Sequence, residues 1–125
     1  MQQTYYKKQL VLLGGGHAHV QVLKKLCMNF YKGLHVILVN DSLESAYSGM
    51  TPAHIQNFYK INEIIIDLQR LCFNAGVTFI NDEVIQLHTE KKEVILKNRP
   101  SIHYDILSIN TGCISKKNNI KIHEN

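Results

Sequence analysis

The sequence predicts an α/β fold built on a parallel sheet, and three observations carry that prediction. First, Gln9–Leu13 (QLVLL) is an almost wholly apolar run that breaks at once into Gly14-Gly15-Gly16. Second, a helical pattern follows, with Val20, Leu23, Leu26 and Cys27 on one side and Lys24, Lys25 and Asn29 on the other. Third, His35–Val39 (HVILV) is another apolar run of strand length. Continuous apolar strands without alternation belong to sheets buried on both faces. Strand, helix and strand in that order make a βαβ unit whose two strands are parallel neighbours.

The remaining elements follow in order. Gly33 supplies a turn before the second strand. Residues 40–59 read as irregular and polar. Asp67 is placed to cap a helix running through Leu68, Leu71 and Cys72, with Gly76 as its stop. Val77–Ile80 (VTFI) reads as a third strand. Glu83–His88 and Glu93–Leu96 alternate in character and read as a hairpin joined through Thr89–Lys92. Tyr104–Asn110 is a last strand running into Thr111-Gly112, and after Cys113 the chain turns polar.

Composition narrows the class. A chain of 125 residues, 45% hydrophobic and 19% charged, has room for one folded domain and is too apolar for intrinsic disorder. No apolar window reaches the length of a transmembrane helix. The net charge of +4 comes mostly from lysine, 12 of the 14 cations, scattered as Lys7-Lys8, Lys24-Lys25, Lys91-Lys92 and Lys116-Lys117. A nucleic-acid surface would gather arginines and aromatics on one element, so no nucleic-acid partner is expected. Cys27, Cys72 and Cys113 are odd in number and far apart, which fits neither a disulfide framework nor a zinc site. A reducing, cytoplasmic setting is the expectation. The histidines are assigned to turns and surface, and no metal is expected.

Gly14-Gly15-Gly16-His17-Ala18-His19 lies where a dinucleotide fingerprint belongs, between a strand and a helix. Gly14 permits a tight exit from the strand. Gly16 removes a side chain so that a pyrophosphate can approach, and the helix N-terminus offers unpaired N–H groups to that anion. The third fingerprint position holds His19, and a bulky residue there is expected to push the helix off its strand. A glycine turn of this kind also fits other α/β domains. The acid expected at the end of the second strand to hold a ribose is replaced by Asn40, with Asp41 next. Either Asp41 substitutes or this contact is weak; the other reading is that Asn40-Asp41-Ser42 is simply a turn after the strand.

The segments KQLVLLGGGHAHVQVLKKL, HVILVN, AYSGMTPAHI, IDLQRL, FINDEVIQL and YDILSINTG together resemble the FAD-binding start of the pyridine nucleotide-disulphide oxidoreductase superfamily. The nearest group is the NADH-dehydrogenase-like flavoproteins, including the module sometimes fused to selenide, water dikinase. GGGH-small-H-V and YSGM-x-P are motifs of that group, so His19 is a feature of it. The resemblance implies a Rossmann-like FAD/NAD(P)-binding domain with a small β-meander. It implies a cofactor-binding set of Gly14, Gly15, Gly16, His17, Ala18 and His19 at the pyrophosphate turn, Asn40 or Asp41 at the adenosine ribose, Val84 at adenine, and Thr111 with Gly112 closing over the cofactor. Tyr47–Pro52 would lie near the flavin end. The implied domain is incomplete: its FAD-binding part covers 1–115 and a polar tail covers 116–125. Neither a second glycine fingerprint nor the redox cysteine pair of disulfide reductases is present. NAD(P)H is therefore expected only through a missing domain, a C-terminal one or a partner chain. The expected function is the FAD-binding portion of an NAD(P)H-dependent oxidoreductase. The alternative is a non-catalytic nucleotide-binding module or degenerate remnant that binds FAD, the ADP part or a partner chain.

Overall fold

The computed structural model describes residues 6–112. Cys113 and the polar tail lie outside the described residues. The chain runs β1 (Lys8–Leu13), α1 (His17–Met28), β2 (Leu34–Asn40), β3 (Glu44–Ala46), α2 (Thr51–Ile55), β4 (Ile65–Asp67), α3 (Leu68–Ala75), β5 (Thr78–Asn81), β6 (Val84–His88), β7 (Glu93–Leu96), β8 (Ile102–His103) and β9 (Ile106–Ile109). The main sheet has the order β5-β2-β1-β9 and is parallel throughout.

Register explains why β1 and β2 are apolar on both faces. Leu12 stands beside Leu38, and Val11 beside Ile37. Leu12, Val36 and Leu38 face one way and pack with Val20 and Leu23 of α1 and Leu68 and Cys72 of α3. Val11, Leu13, Ile37 and Val39 face the other way and pack with Val94 and Leu96 of β7 and with Tyr104. The sheet is thus sandwiched between a helical layer and the antiparallel meander β6-β7-β8. Both apolar faces are removed from water, the arrangement a parallel sheet requires.

Helix α3 forms as its sequence predicts. The Asp67 side chain accepts from the Arg70 N–H at 3.0 Å, and Gly76 ends the helix in the left-handed region at φ 68°. The hairpin β6-β7 also forms where its alternation places it.

Residues 40–59 depart from the irregular reading. They contain β3, a 3-10 turn at Ser48–Met50, and α2, which carries Pro52 in its first turn. Strand β3 pairs with β4, about twenty residues later, with Ser45 beside Ile66. A three-residue strand has too little pattern to be seen without its partner. The same holds for β8, which exists as the third strand of the meander. Among the described residues no helix is long and apolar enough to cross a membrane.

Candidate functional site

The site is built on the turn between β1 and α1, at the carboxyl ends of the parallel strands. Ligands in open α/β sheets bind there because the helix N-termini and the strand-end loops converge on that edge.

Each backbone polar group of the three glycines has a partner within the chain. Gly14 N–H donates to the Val39 carbonyl (2.8 Å), and Gly16 N–H donates to the Asn110 carbonyl (3.0 Å). Gly15 N–H donates to Asn40 Oδ1 at 3.0 Å. On the acceptor side, the Gly15 carbonyl takes the Ser45 hydroxyl at 2.6 Å, and the Gly14 carbonyl lies 2.7 Å from His19 Nδ1. The Gly16 carbonyl takes the Val20 N–H as the first bond of α1. A buried turn must account for all its donors and acceptors, and this one does so before any ligand arrives.

The glycines are also enforced by packing. A Cβ on Gly14 would strike the Asn110 carbonyl oxygen and come within 2.5 Å of Thr111 Cα, and one on Gly16 would strike the Asn110 side chain. One on Gly15 would meet Leu68. The turn is pressed between the end of β9 and the start of α3.

Of the backbone N–H groups from Gly14 to Ala18, those left without a partner among the described residues belong to the helix. Gly16 is the N-cap of α1 with no side-chain cap, and no acidic residue stands in the first turn. The His17 and Ala18 N–H groups point out of the helix end with no partner among the described residues. The His19 N–H makes only a 3.5 Å approach to Asn110 Oδ1.

Two grooves flank the turn. The first, about 310 Å³, is lined by Gly14, Asn40, Asp41, Val84, Ile109 and Thr111 among others. The second, about 350 Å³, is lined by Gly15, Gly16, His17, Tyr47, Asn110 and Gly112 among others, and shares Asn40 and Thr111 with the first. The residues singled out in the sequence are thus brought to one edge of the sheet, across a span of nearly one hundred positions. The His17 and Tyr47 rings lie 4.8 Å apart, tilted by 50°, and also border a neighbouring cavity of about 330 Å³ that Met50 lines.

One residue, His19, differs from its sequence reading. His19 neither lies on the surface nor displaces the helix. It is 2% exposed, while Val20 and Leu23 of α1 remain fully packed in the core. Its ring is accommodated because both nitrogens find partners: Nδ1 at the Gly14 carbonyl and Nε2 at Ser108 Oγ, 2.8 Å away. The Asn40 side chain is committed to the turn, accepting from Gly15 and donating to the Ser42 carbonyl at 2.8 Å. Asp41 is exposed beside it. His54 is half-buried, its Nδ1 2.8 Å from the Tyr59 carbonyl.

Ser45, Ser108 and Asp82 were not legible as site residues. A polar residue within the apolar run of β9 was the one signal available for Ser108. The Asp82 carboxylate accepts from the Glu83 N–H (2.8 Å), the Asn98 N–H (3.0 Å) and the Asn98 amide (2.9 Å). It ties the end of β5 to the segment after β7 and closes the floor of the first groove.

The two buried groups predict how stability varies with pH. Burial pushes the His19 imidazole below its ordinary value of 6.5, outweighing the bond to the Gly14 carbonyl. The unfolded chain therefore binds this proton first as pH falls, and stability declines below about pH 6.5. Burial raises the Asp82 carboxyl, but the Glu83 and Asn98 bonds and the nearby Arg99 charge outweigh it and hold it below its ordinary 3.8. The unfolded state again takes up its proton first, so a second decline follows below about pH 4. Thermal melts across pH 3–8 are expected to show both, and His19→Asn is expected to remove the first alone.

No protein-family model and no curated protein matches the sequence. Solved structures do resemble it. The sulfide:quinone oxidoreductase of the hyperthermophilic bacterium Aquifex aeolicus superposes over 84% of this chain and 24% of its own, with TM-score 0.73 and 24% identity. NDH2 from Plasmodium falciparum, in complex with NADH, covers 91% of this chain and 24% of its own at TM-score 0.71 and 17% identity. Reduced Bacillus anthracis CoADR-RHD covers 94% and 23% at TM-score 0.74 and 17% identity. This chain spans about a quarter of the length of each. What it shares with them is a Rossmann-like α/β fold, carried over part of a much longer chain.

Proposed function

We propose that this chain is the FAD-binding portion of an NAD(P)H-dependent flavoprotein oxidoreductase of the NADH-dehydrogenase-like kind. The observation that carries the reading is the pair of grooves meeting over the glycine turn, with Asn40 and Thr111 common to both. A long two-ended ligand laid across that turn has one end in each groove and its middle at the N-terminus of α1. A dinucleotide has that shape, and its pyrophosphate is the anion a helix N-terminus favours. The likeness in fold to NDH2 and to a sulfide:quinone oxidoreductase supports the reading.

In this reading the His17 and Ala18 N–H groups hold the pyrophosphate, since those of Gly15 and Gly16 are already engaged. Asp41 takes the ribose hydroxyls in place of Asn40, whose amide is committed to the turn. Val84 lies against adenine in the first groove, and Thr111 and Gly112 close over the cofactor. Tyr47 stands in the second groove, toward the flavin end. When bound, FAD would supply two-electron chemistry, and the protein's own part is to bind and orient it. NAD(P)H would be held by a further domain or partner chain, and the setting would be cytoplasmic.

Calorimetric titration of the purified chain tests this. ADP and FAD are expected to bind at one site, FAD more tightly, and Asp41→Ala is expected to weaken both about tenfold. A folded chain that takes up neither sinks the proposal. Equal affinity for the two favours a module that holds the ADP part alone.

A further inference from the structure

Both ring nitrogens of the His19 side chain meet protein groups, and those two contacts define its chemistry. A carbonyl oxygen only accepts, so the 2.7 Å approach to Gly14 requires the proton on Nδ1. In the neutral ring Nε2 is then a lone pair, and the Ser108 hydroxyl donates to it across 2.8 Å. The ring is 2% exposed, and the groups it touches on the turn and on β9 carry no charge. One tautomer satisfies the whole arrangement.

The bridge joins the glycine turn to strand β9. Gly14 leads the turn, at φ 91°, and its carbonyl is held inward by Nδ1. Ser108 is two residues from Asn110, whose carbonyl takes the Gly16 N–H, and three from Thr111, which lines both grooves. Positions 5 and 89 residues from His19 are fixed through one side chain.

We propose that His19 is a positioning residue for the dinucleotide site. Locked as its Nδ1–H tautomer between Gly14 and Ser108, it pre-sets the glycine turn and the end of β9, and makes no contact with the ligand. Its ligand arm rests on the function proposed above; its structural arm does not. A turn ordered in advance spares the ligand the cost of ordering it, so loss of the bridge weakens binding although no ligand contact is lost.

The test has two readouts. Long-range ¹⁵N–¹H correlation of the histidine rings at neutral pH is expected to show His19 protonated at Nδ1 and bare at Nε2. The opposite tautomer, or an averaged pair, overturns the proposal. ADP titration then compares variants. His19→Asn places an amide N–H where Nδ1 stood, keeps the Gly14 end of the bridge without the Ser108 end, and is expected to weaken binding about threefold. His19→Leu fills the space without donor or acceptor and is expected to lose tenfold or more. Equal affinities of the two variants, whether both lost or both kept, overturn it. If His19→Leu does not fold, Ser108→Ala cuts the other end of the same bridge and is expected to weaken binding about threefold to tenfold, with no change overturning the proposal. If the parent chain binds neither ADP nor FAD, the dinucleotide reading fails by itself. Hydrogen exchange at the Gly16 N–H then decides the positioning role: slow in the parent, faster in His19→Asn and Ser108→Ala and fastest in His19→Leu supports it, and equal rates overturn it.

Discussion

Gly14→Ala is expected to cost about 3–5 kcal/mol of folding free energy and to abolish binding at the turn. Two effects add. Position 14 has φ 91°, a conformation L side chains rarely adopt. The new methyl would also be driven into backbone, the Asn110 carbonyl and Thr111 Cα, which cannot yield as a flexible side chain does. Gly76 is the control. It too has a positive φ, 68°, but a Cβ there meets nothing within 4 Å. Gly76→Ala is expected to cost about 1–2 kcal/mol, from backbone strain alone. Urea unfolding of the two variants measures the difference. Equal costs would mean that the end of β9 does not press on the turn.

The second large effect is expected at the centre of the sheet. Leu38 is fully buried between β1, α1 and α3, beside Leu12 in register. Leu38→Ala removes that packing and leaves a cavity, for about 3 kcal/mol. Ile85→Ala, on an exposed position of the meander, is expected to stay within about 0.5 kcal/mol. Both are read from the midpoint of denaturant unfolding. A small loss at Leu38 would mean that the helical layer does not close on the sheet as described. Against a typical domain stability of about 5–15 kcal/mol, either large substitution threatens folding at body temperature.

The sequence by itself determined the elements whose signals are local. Strand β1, helix α1 and strand β2 are legible because apolar runs and helical spacing are written within a dozen residues. Helix α3 carries its own start and stop in Asp67 and Gly76. The hairpin β6-β7 carries its own alternation. The place of the candidate site follows from the same kind of signal, a glycine turn between a strand and a helix.

Only the tertiary structure decided what the polar side chains at that turn do. Asn40 stands where a ribose acid is expected, yet it caps the Gly15 N–H, 25 positions away. Ser45 caps the Gly15 carbonyl from 30 positions away, on a strand that exists because β4 pairs with it. His19 occupies a place where a small residue is the rule, and Ser108, 89 positions away, makes it a satisfied core residue. The physical reason is common to all three. A buried polar group is tolerated only when its partner is present, and these partners are brought alongside by the folding of the parallel sheet rather than by neighbourhood along the chain.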